Sequence, residues 1–282
     1  MQDAIKKSEI LIEALPYIKK FQDKVIVIKY GGSALLEREK RIRVLEDIIF
    51  MSLAGMKPII VHGGGPFITR KFKQLKKKSN FIDGLRVTGE NEIKVIKDVL
   101  TKVNKRIVRE IKQLGGKAQS VSGKNVIKVR RHRNFKKLHF VGEMRFVDSD
   151  RIENICAREI IPVISPLGTG RDRKVYNVNA DQASAYVARA LSAEKLALLT
   201  NVDGIYKNAD EETGFLSSLT KSSTRTLIKK GIIAGGMIPK VKACISAIEG
   251  GVKKAHIVNG SLPHALLLEM FTDKGIGTQV VK

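Results

Sequence analysis

Residues 25–32 read VIVIKYGG and residues 57–66 read KPIIVHGGGP, and these two stretches decide the fold. In each, a short run rich in β-branched residues is stopped by consecutive glycines, the pattern of a strand feeding a tight loop. Between them, residues 37–54 carry a helical pattern, so the order is strand, glycine loop, helix, strand, glycine loop. That order belongs to a parallel α/β sheet. Ligands of such sheets bind beyond the carboxyl ends of the strands, where both glycine loops fall.

Working outward, residues 3–20 read as an amphipathic helix. Ile5, Leu11, Ile12, Leu15 and Ile18 form its apolar stripe, and lysines occupy the other faces. Pro16 inside this pattern predicts a kink or an early end. Downstream, residues 92–114 read as a long helix, and residues 115–148 as strands and hairpins broken by glycines and basic clusters. A strand is predicted over 161–165, a helix over 181–191 and a strand over 196–200. A polar loop or excursion follows over 208–223, then a helix over 237–250 and a late strand over 255–258. No repeat and no flexible linker is visible, so the halves read as lobes sharing a sheet, with a boundary near 170–180.

The chemistry is carried by the glycine loops and the charges beside them. Gly31 and Gly32 follow Lys29 at a strand end, where the absence of Cβ lets backbone N–H groups turn toward an anion. Gly63, Gly64 and Gly65 repeat the device after the second strand. One such loop is common in proteins; two at consecutive strand ends, with a lysine at the first, point to phosphate. Neither matches the GxGxxG or GxxxxGK[ST] pattern, which disfavours the two commonest phosphate folds. A third element, Gly235-Gly236-Met237-Ile238-Pro239-Lys240, leads into the 237–250 helix. Its free N–H groups, with the full charge of Lys240, suit an anion at a helix start where the dipole itself would favour acids. Asp181 opens another helix after Asn177-Val178-Asn179-Ala180, and two readings stand: a helix cap, or a buried acid holding the two lysines.

The chain has 282 residues, enough for a substantial core, and its apolar fraction of 43% is that of a globular protein. Its formal charge of +24 raises nucleic acid as a partner. The basic residues are spread out, however, and no zinc-finger spacing or aromatic-rich stacking module accompanies them, so that partner is weakly supported. The two local runs, 71–78 and 130–137, suit nonspecific anion binding. Cys156 and Cys244 are too few for a disulfide framework, which fits a reducing compartment. No apolar signal segment and no stretch near 18 apolar residues is present, so a soluble, non-secreted protein is expected. The histidines have no metal-ligand spacing.

Taken in order, five motifs resemble those of the amino-acid kinase family, and within it the acetylglutamate kinases. They are Lys29-Tyr30-Gly31-Gly32, His62-Gly63-Gly64-Gly65-Pro66, Asp83-Gly84-Leu85-Arg86-Val87-Thr88, Asn177-Val178-Asn179-Ala180-Asp181 and the segment from Gly235 to Lys240. Leu199-Thr200-Asn201-Val202-Asp203-Gly204 is similar to the family's nucleotide-side loop, and Gly275-Ile276-Gly277-Thr278 to its C-terminal motif. The match runs over residues 25–281. It implies a three-layer α/β/α sandwich around an open, mainly parallel sheet, with residues 1–24 as an oligomerisation helix. Residues 25–175 would form a lobe for N-acetyl-L-glutamate, and residues 176–282 a lobe for ATP with Mg²⁺.

By the same resemblance, Lys29 and Lys240 match the lysines that stabilise the transferring phosphoryl group, and Asp181 the acid that organises them. Gly63, Gly64, Gly65, Arg86 and Asn177 match the substrate site. Gly31, Gly32, Thr200, Asn201, Gly235, Gly236, Met237 and Lys240 match the phosphate and nucleotide side. His256, Glu269 and Gly275 fall in a segment similar to the site for L-arginine as feedback inhibitor. The leading helix resembles the one that builds a homo-hexamer as a trimer of dimers. Gly89, Asn201 and Asn259 each stand where the family commonly has Asp, and Ser33 where it has Ala or Asn. The location implied is bacterial cytoplasm or plastid stroma, where some relatives bind a nitrogen-signalling regulatory protein. Two alternatives stay open: a kinase for carrier-linked aminoadipate, and a regulatory nucleic-acid-binding protein on the same fold.

Overall fold

The two glycine-ended strands lie side by side in the middle of a large sheet. A computed structural model describes residues 1–208, 213–272 and 275–282. The chain opens with α1 (Gln2–Phe21) and β1 (Val25–Tyr30), then passes through the single turn α2 (Ser33–Leu36) into α3 (Arg38–Leu53) and β2 (Lys57–His62). The second glycine loop starts α4 (Gly65–Gln74); a small hairpin, β3 (Phe81–Ile82) and β4 (Leu85–Arg86), precedes α5 (Glu90–Gln113) and β5 (Ala118–Val121). Next come α6 (Gly123–Val126), β6 (Ile127–Arg131), α7 (Phe135–Leu138), β7 (Gly142–Val147), α8 (Ser149–Cys156) and β8 (Ile161–Ile164). After β9 (Leu167–Thr169) and β10 (Val175–Asn177), the second half begins with α9 (Ala180–Ala190) and β11 (Lys195–Thr200). It continues through β12 (Tyr206–Asn208), β13 (Thr213–Phe215), β14 (Ser218–Thr220) and α10 (Lys221–Lys229). It ends with α11 (Met237–Glu249), β15 (Lys254–Asn259), α12 (Ala265–Met270) and β16 (Thr278–Val281).

The main sheet has the order β14-β16-β15-β11-β1-β2-β8-β5, and every pairing in it is parallel except β15 with β16. Side-chain alternation along the strands divides the interior into two cores. Val27, Ile59, Val61, Leu196 and Leu198 face one core, which α8, α9 and α11 complete; Ile26, Ile28, Ile60, Ala197 and Leu199 face the other, under α3, α4, α5 and α12. Both faces are therefore covered, and the central strands read as continuous apolar runs because each neighbouring residue is buried on one side or the other. This is the three-layer α/β/α arrangement. The second sheet, β10-β9-β6-β7, packs its inner residues Val129 and Met144 onto the first core.

Two expectations are corrected. Helix α1 runs unbroken through Pro16 to Phe21. The carbonyl that loses its partner there belongs to Ile12, a residue 68% exposed, so water can satisfy it. The 208–223 stretch is largely ordered where described: β12 and β13 form a hairpin, β14 adds to the edge of the main sheet beside β16, and α10 starts at a capping box of Thr220 and Ser223. Residues 209–212 of that stretch lie outside the described residues. Helix α4, capped by Gly64 with Pro66 in its first turn, carries Lys71 and Lys73 of the basic run in its last turn.

A buried ion pair ties the helices of the second core together. Arg41 is fully buried; its Nε donates to Glu110 Oε2 at 2.7 Å and its Nη1 to the carbonyls of Leu35 and Leu36 at 3.3 and 3.2 Å. Removing the carboxylate leaves a guanidinium charge without its counter-ion. Glu110→Ala is expected to lose about 3 kcal/mol or more of stability in urea unfolding; a loss under about 1 kcal/mol would mean that the pair is solvated.

Candidate active site

The sheet order brings the carboxyl ends of β1, β2 and β11 together. Lys29 is the penultimate residue of β1, and Asp181 is the second residue of α9. Asn179, not Asp181, caps α9: its side chain accepts from Gln182 N at 3.0 Å. That frees the Asp181 carboxylate to face the lysines. Lys29 Nζ lies 3.1 Å from Asp181 Oδ1, and Lys240 Nζ, from α11, donates to Asp181 Oδ2 at 3.1 Å. Only the Lys240 contact is aligned as a hydrogen bond; at Oδ1 the contact is one of charge. Burial pushes the Asp181 carboxyl up, but Lys29 and Lys240 outweigh it and hold it below the usual aspartate range. Burial lowers Lys29, Asp181 opposes that, and Lys240 adds to it.

Around this bridge lies a cleft of about 250 Å³ that also gathers Gly31, Gly32, Gly63, Gly64, Gly65, Arg86 and Asn177. The glycines have local reasons. A Cβ at Gly31 would stand 2.8 Å from Lys29 Nζ, and Gly32 has φ +71° with Asn201 Oδ1 where its Cβ would project. Gly65, by contrast, opens onto empty space. His62, at the end of β2, braces the second loop by donating from Nδ1 to the Gly63 carbonyl at 2.8 Å, and burial lowers its pKa to about 4.

Arg86 stands at the end of β4 with its fork fixed by three acceptors. Nη1 donates to Ser79 Oγ at 2.6 Å; Nη2 donates to Thr69 Oγ1 at 2.9 Å and to Gly65 O at 3.2 Å. Its guanidinium also lies 4.6 Å from the Phe81 ring centroid. Asn177 Nδ2 donates to Thr88 Oγ1 at 3.2 Å. At the tip of the β3–β4 hairpin, Gly84 has φ +75° and leaves room for Pro239, whose Cγ would be 3.1 Å from an added Cβ. The hairpin therefore reaches the segment that carries Lys240.

A second pocket, about 380 Å³, adjoins the far side of Gly32 through Asn201 and is lined by Asp203, Tyr206, Met237 and Asn259. Asn259 Nδ2 donates to Asp203 Oδ1 at 2.7 Å, a contact that the motif reading did not single out. Of the residues assigned to the nucleotide side, Asn201 and Met237 line this pocket, while Thr200, Gly235 and Gly236 do not. Thr200 is buried at the end of β11, and Gly235, with φ +50°, and Gly236 both leave open space where a side chain would stand. A third pocket, about 230 Å³, brings His256, Glu269 and Gly275 together with Tyr17 and Lys20 of α1. There His256 Nδ1 is 2.5 Å from Glu269 Oε1, and the Ile276 and Gly277 amides each donate to Glu269 Oε2 at 3.0 Å. Among the described residues, no group of three or more His, Cys, Asp or Glu side chains is placed to hold a metal ion.

Paired lysines on one carboxylate, beside glycine loops at strand ends, form an arrangement that suits a phosphoryl group. The sequence pattern of the amino acid kinase family matches residues 24–259, and the chain belongs to that family. It is 48% identical to the acetylglutamate kinase of Caldanaerobacter subterraneus over 99% of this chain and 95% of that one. It is 45% identical to that of Syntrophomonas wolfei, over 99% and 98%. Among solved structures, N-acetylglutamate synthase of Neisseria gonorrhoeae, complexed with coenzyme A and N-acetyl-glutamate, superposes with a TM-score of 0.87 at 26% identity. The match covers 98% of this chain but 63% of the synthase. A Giardia carbamate kinase, at 16% identity and a TM-score of 0.70, shares the fold.

The neutral, buried His62 has a measurable consequence. The unfolded chain takes up a proton at this residue below about pH 6.5, whereas the folded chain does so only near pH 4. Its contribution to stability is therefore complete above about pH 6.5 and falls as pH drops toward the folded value. Between those limits the unfolding free energy of the wild type should rise with pH more steeply than that of His62→Asn, by up to about 1.4 kcal/mol per pH unit. Parallel profiles would place the proton on His62 in the folded state.

Proposed function

We propose that this chain transfers the γ-phosphoryl group of ATP to the side-chain carboxylate of N-acetyl-L-glutamate, giving an acyl phosphate, in the biosynthesis of arginine. The observation that carries the reading is Asp181, in the lining of the cleft that contains Arg86, holding both Lys29 and Lys240. The choice of acceptor draws on the full-length relatives, which are named for acetylglutamate, and these lend nothing to a carrier-linked aminoadipate.

The chemistry needs no general base, because a carboxylate is already ionised near neutral pH and its oxygen can attack phosphorus directly. The work of the protein is alignment and neutralisation of charge. Lys29 and Lys240 would flank the transferring group. The open backbone at Gly65, Gly235 and Gly236 would admit phosphate oxygens to within hydrogen-bonding reach of N–H groups. Arg86, its fork already oriented, would take a substrate carboxylate, and Asn177 would complete that site. ATP would lie on the side of Asn201 and Met237. Both Asp181 oxygens face lysines, so Mg²⁺ would be held by the nucleotide's own phosphates and offset part of their charge. On this reading residues 25–175 form the acid-binding lobe and residues 176–282 the nucleotide lobe.

Regulation by arginine and assembly into a hexamer extend the proposal. They are supported by α1, which exposes Leu11 and Ile12, and by the contribution of Tyr17 and Lys20 to the pocket of His256 and Glu269. A nitrogen-signalling partner and a plastid setting belong to the same reading. No described helix is long and apolar enough to cross a membrane.

Purified protein incubated with ATP, Mg²⁺ and N-acetyl-L-glutamate should form an acyl phosphate trapped as the hydroxamate, and should do so more slowly with N-acetyl-L-aspartate. No product with either would overturn the proposal. Lys29→Ala and Lys240→Ala should each lower kcat roughly 100-fold, about 3 kcal/mol of transition-state stabilisation, with the fold retained; near-wild-type turnover would reject their role. Arg86→Lys should raise the KM for the acetylated acid more than that for ATP, because lysine keeps the charge and loses the two-donor fork. Deleting residues 1–20 should convert a hexamer to a dimer in light scattering and weaken inhibition by arginine while activity persists. A full-length dimer insensitive to millimolar arginine would remove that extension alone.

A further inference from the structure

The outer face of the β10-β9-β6-β7 sheet carries a groove of about 920 Å³, larger than the substrate cleft. Lys128, Arg130, Arg131, Arg145 and Arg171 line it, drawn from β6, β7 and the turn after β9. Two of these charges are compensated: Arg130 Nη2 lies 2.6 Å from Glu143 Oε2, and Arg131 Nη2 lies 3.1 Å from Asp172 Oδ2. Lys128, Arg145 and Arg171 have no acidic partner among the described residues. Three cations therefore face one groove unpaired.

The strand geometry adds an aromatic ring to them. The β6–β7 ladder slips between Lys128 and Val129, so that Lys128 pairs with Phe146 and Val129 with Met144. Arg145 is the extra residue of this bulge. A regular strand would turn one of two consecutive residues into the core; here Arg145 and Phe146 are both exposed, and Phe146 is 59% accessible in the lining of the groove. A bulge that re-aims a side chain outward is a specific use of backbone, and this one sets an apolar ring directly across from an unpaired lysine.

We propose that this face is a docking surface for a single-stranded nucleic acid, with the backbone phosphates on Lys128, Arg145 and Arg171 and a base stacked on Phe146. Phosphate contacts account for the cations, and stacking accounts for the ring; an inorganic polyphosphate or a run of acidic residues alone would use the first and leave the second exposed to water. Neither phosphate contacts nor stacking reads sequence, so binding by these groups is sequence-tolerant and salt-sensitive. The surface lies apart from the Asp181 bridge and rests on none of the chemistry assigned there.

The test measures fluorescence anisotropy of a labelled RNA of about 12 nucleotides, a length that spans one groove of this kind, with the full chain over a salt series. Arg145→Glu/Arg171→Glu should weaken binding about tenfold or more and reduce the log–log salt slope by about 1.4. Phe146→Ala should weaken binding at least about fivefold with the slope unchanged, since stacking releases no counter-ions. Lys71→Glu/Lys73→Glu, an equal charge change on α4, should stay within about twofold. Acyl-phosphate formation and the unfolding midpoint should match the wild type in all three, which separates lost binding from lost folding. Equal losses in the two charge-reversed variants would show attraction by diffuse charge and overturn the site. Full binding by Phe146→Ala, or displacement of the RNA by polyglutamate at matched charge concentration, would assign the groove to an acidic protein segment instead.

Discussion

Two ammonium groups drawn into a buried corner repel each other, and the Asp181 carboxylate is what lets Lys29 and Lys240 remain there, 3.1 Å from each. The three groups come from β1, α9 and α11, elements far apart in sequence, and the carboxylate is the point at which their positions become one constraint. Its own burial is costly, and the two lysines offset that cost. The corner as a whole keeps one positive charge in excess, in a region with little water. An anion placed there would meet a field fixed by the fold, without reorganisation of side chains.

The sheet supplies the geometry that makes this possible. Because β1 lies between β11 and β2, its carboxyl end is flanked by two loops, one on each side. Gly32 has a positive φ and fits beside Asn201, so it both turns the chain and lets the two halves of the sheet meet closely. A side chain there would be strained by its backbone and would collide with the facing amide. The hairpin at Gly84 performs the reciprocal closure, leaning from the first half of the chain onto Pro239 in the second.

Much of this was legible in the sequence because it is written locally. The runs at 25–30 and 57–62 and the glycines after them fix strand, turn and direction without reference to the rest of the chain. Asp181 was ambiguous for the opposite reason. Asn179 and Asp181 are both ordinary caps by residue type, and only the observed bond from Gln182 N to Asn179 separates the capping residue from the one free to bridge lysines. The strands β14 and β16 were missed because each is only three or four residues long; β14 pairs with β16 across about 60 residues of chain, and β16 pairs in turn with β15. Helix α10 follows from a Thr220–Ser223 capping box inside a stretch polar enough to read as loop. The third acceptor on Arg86, the carbonyl of Gly65, leaves no residue-type signal at all.

The same distinction governs the charge. A balance of 52 basic against 28 acidic residues sets up a field that draws every anion, whether substrate, nucleotide or polymer. Such a field raises encounter rates and fades with salt, but it cannot discriminate among anions of like charge. Discrimination must come from groups whose direction is fixed. In the cleft Arg86 has such a fixed direction, its fork held by Ser79, Thr69 and Gly65. On the small sheet Phe146 is turned outward by a bulge that no property of the basic run at 130–137 announces. At both positions the fold fixes the direction of a side chain, and in both it contributes what composition could not reveal.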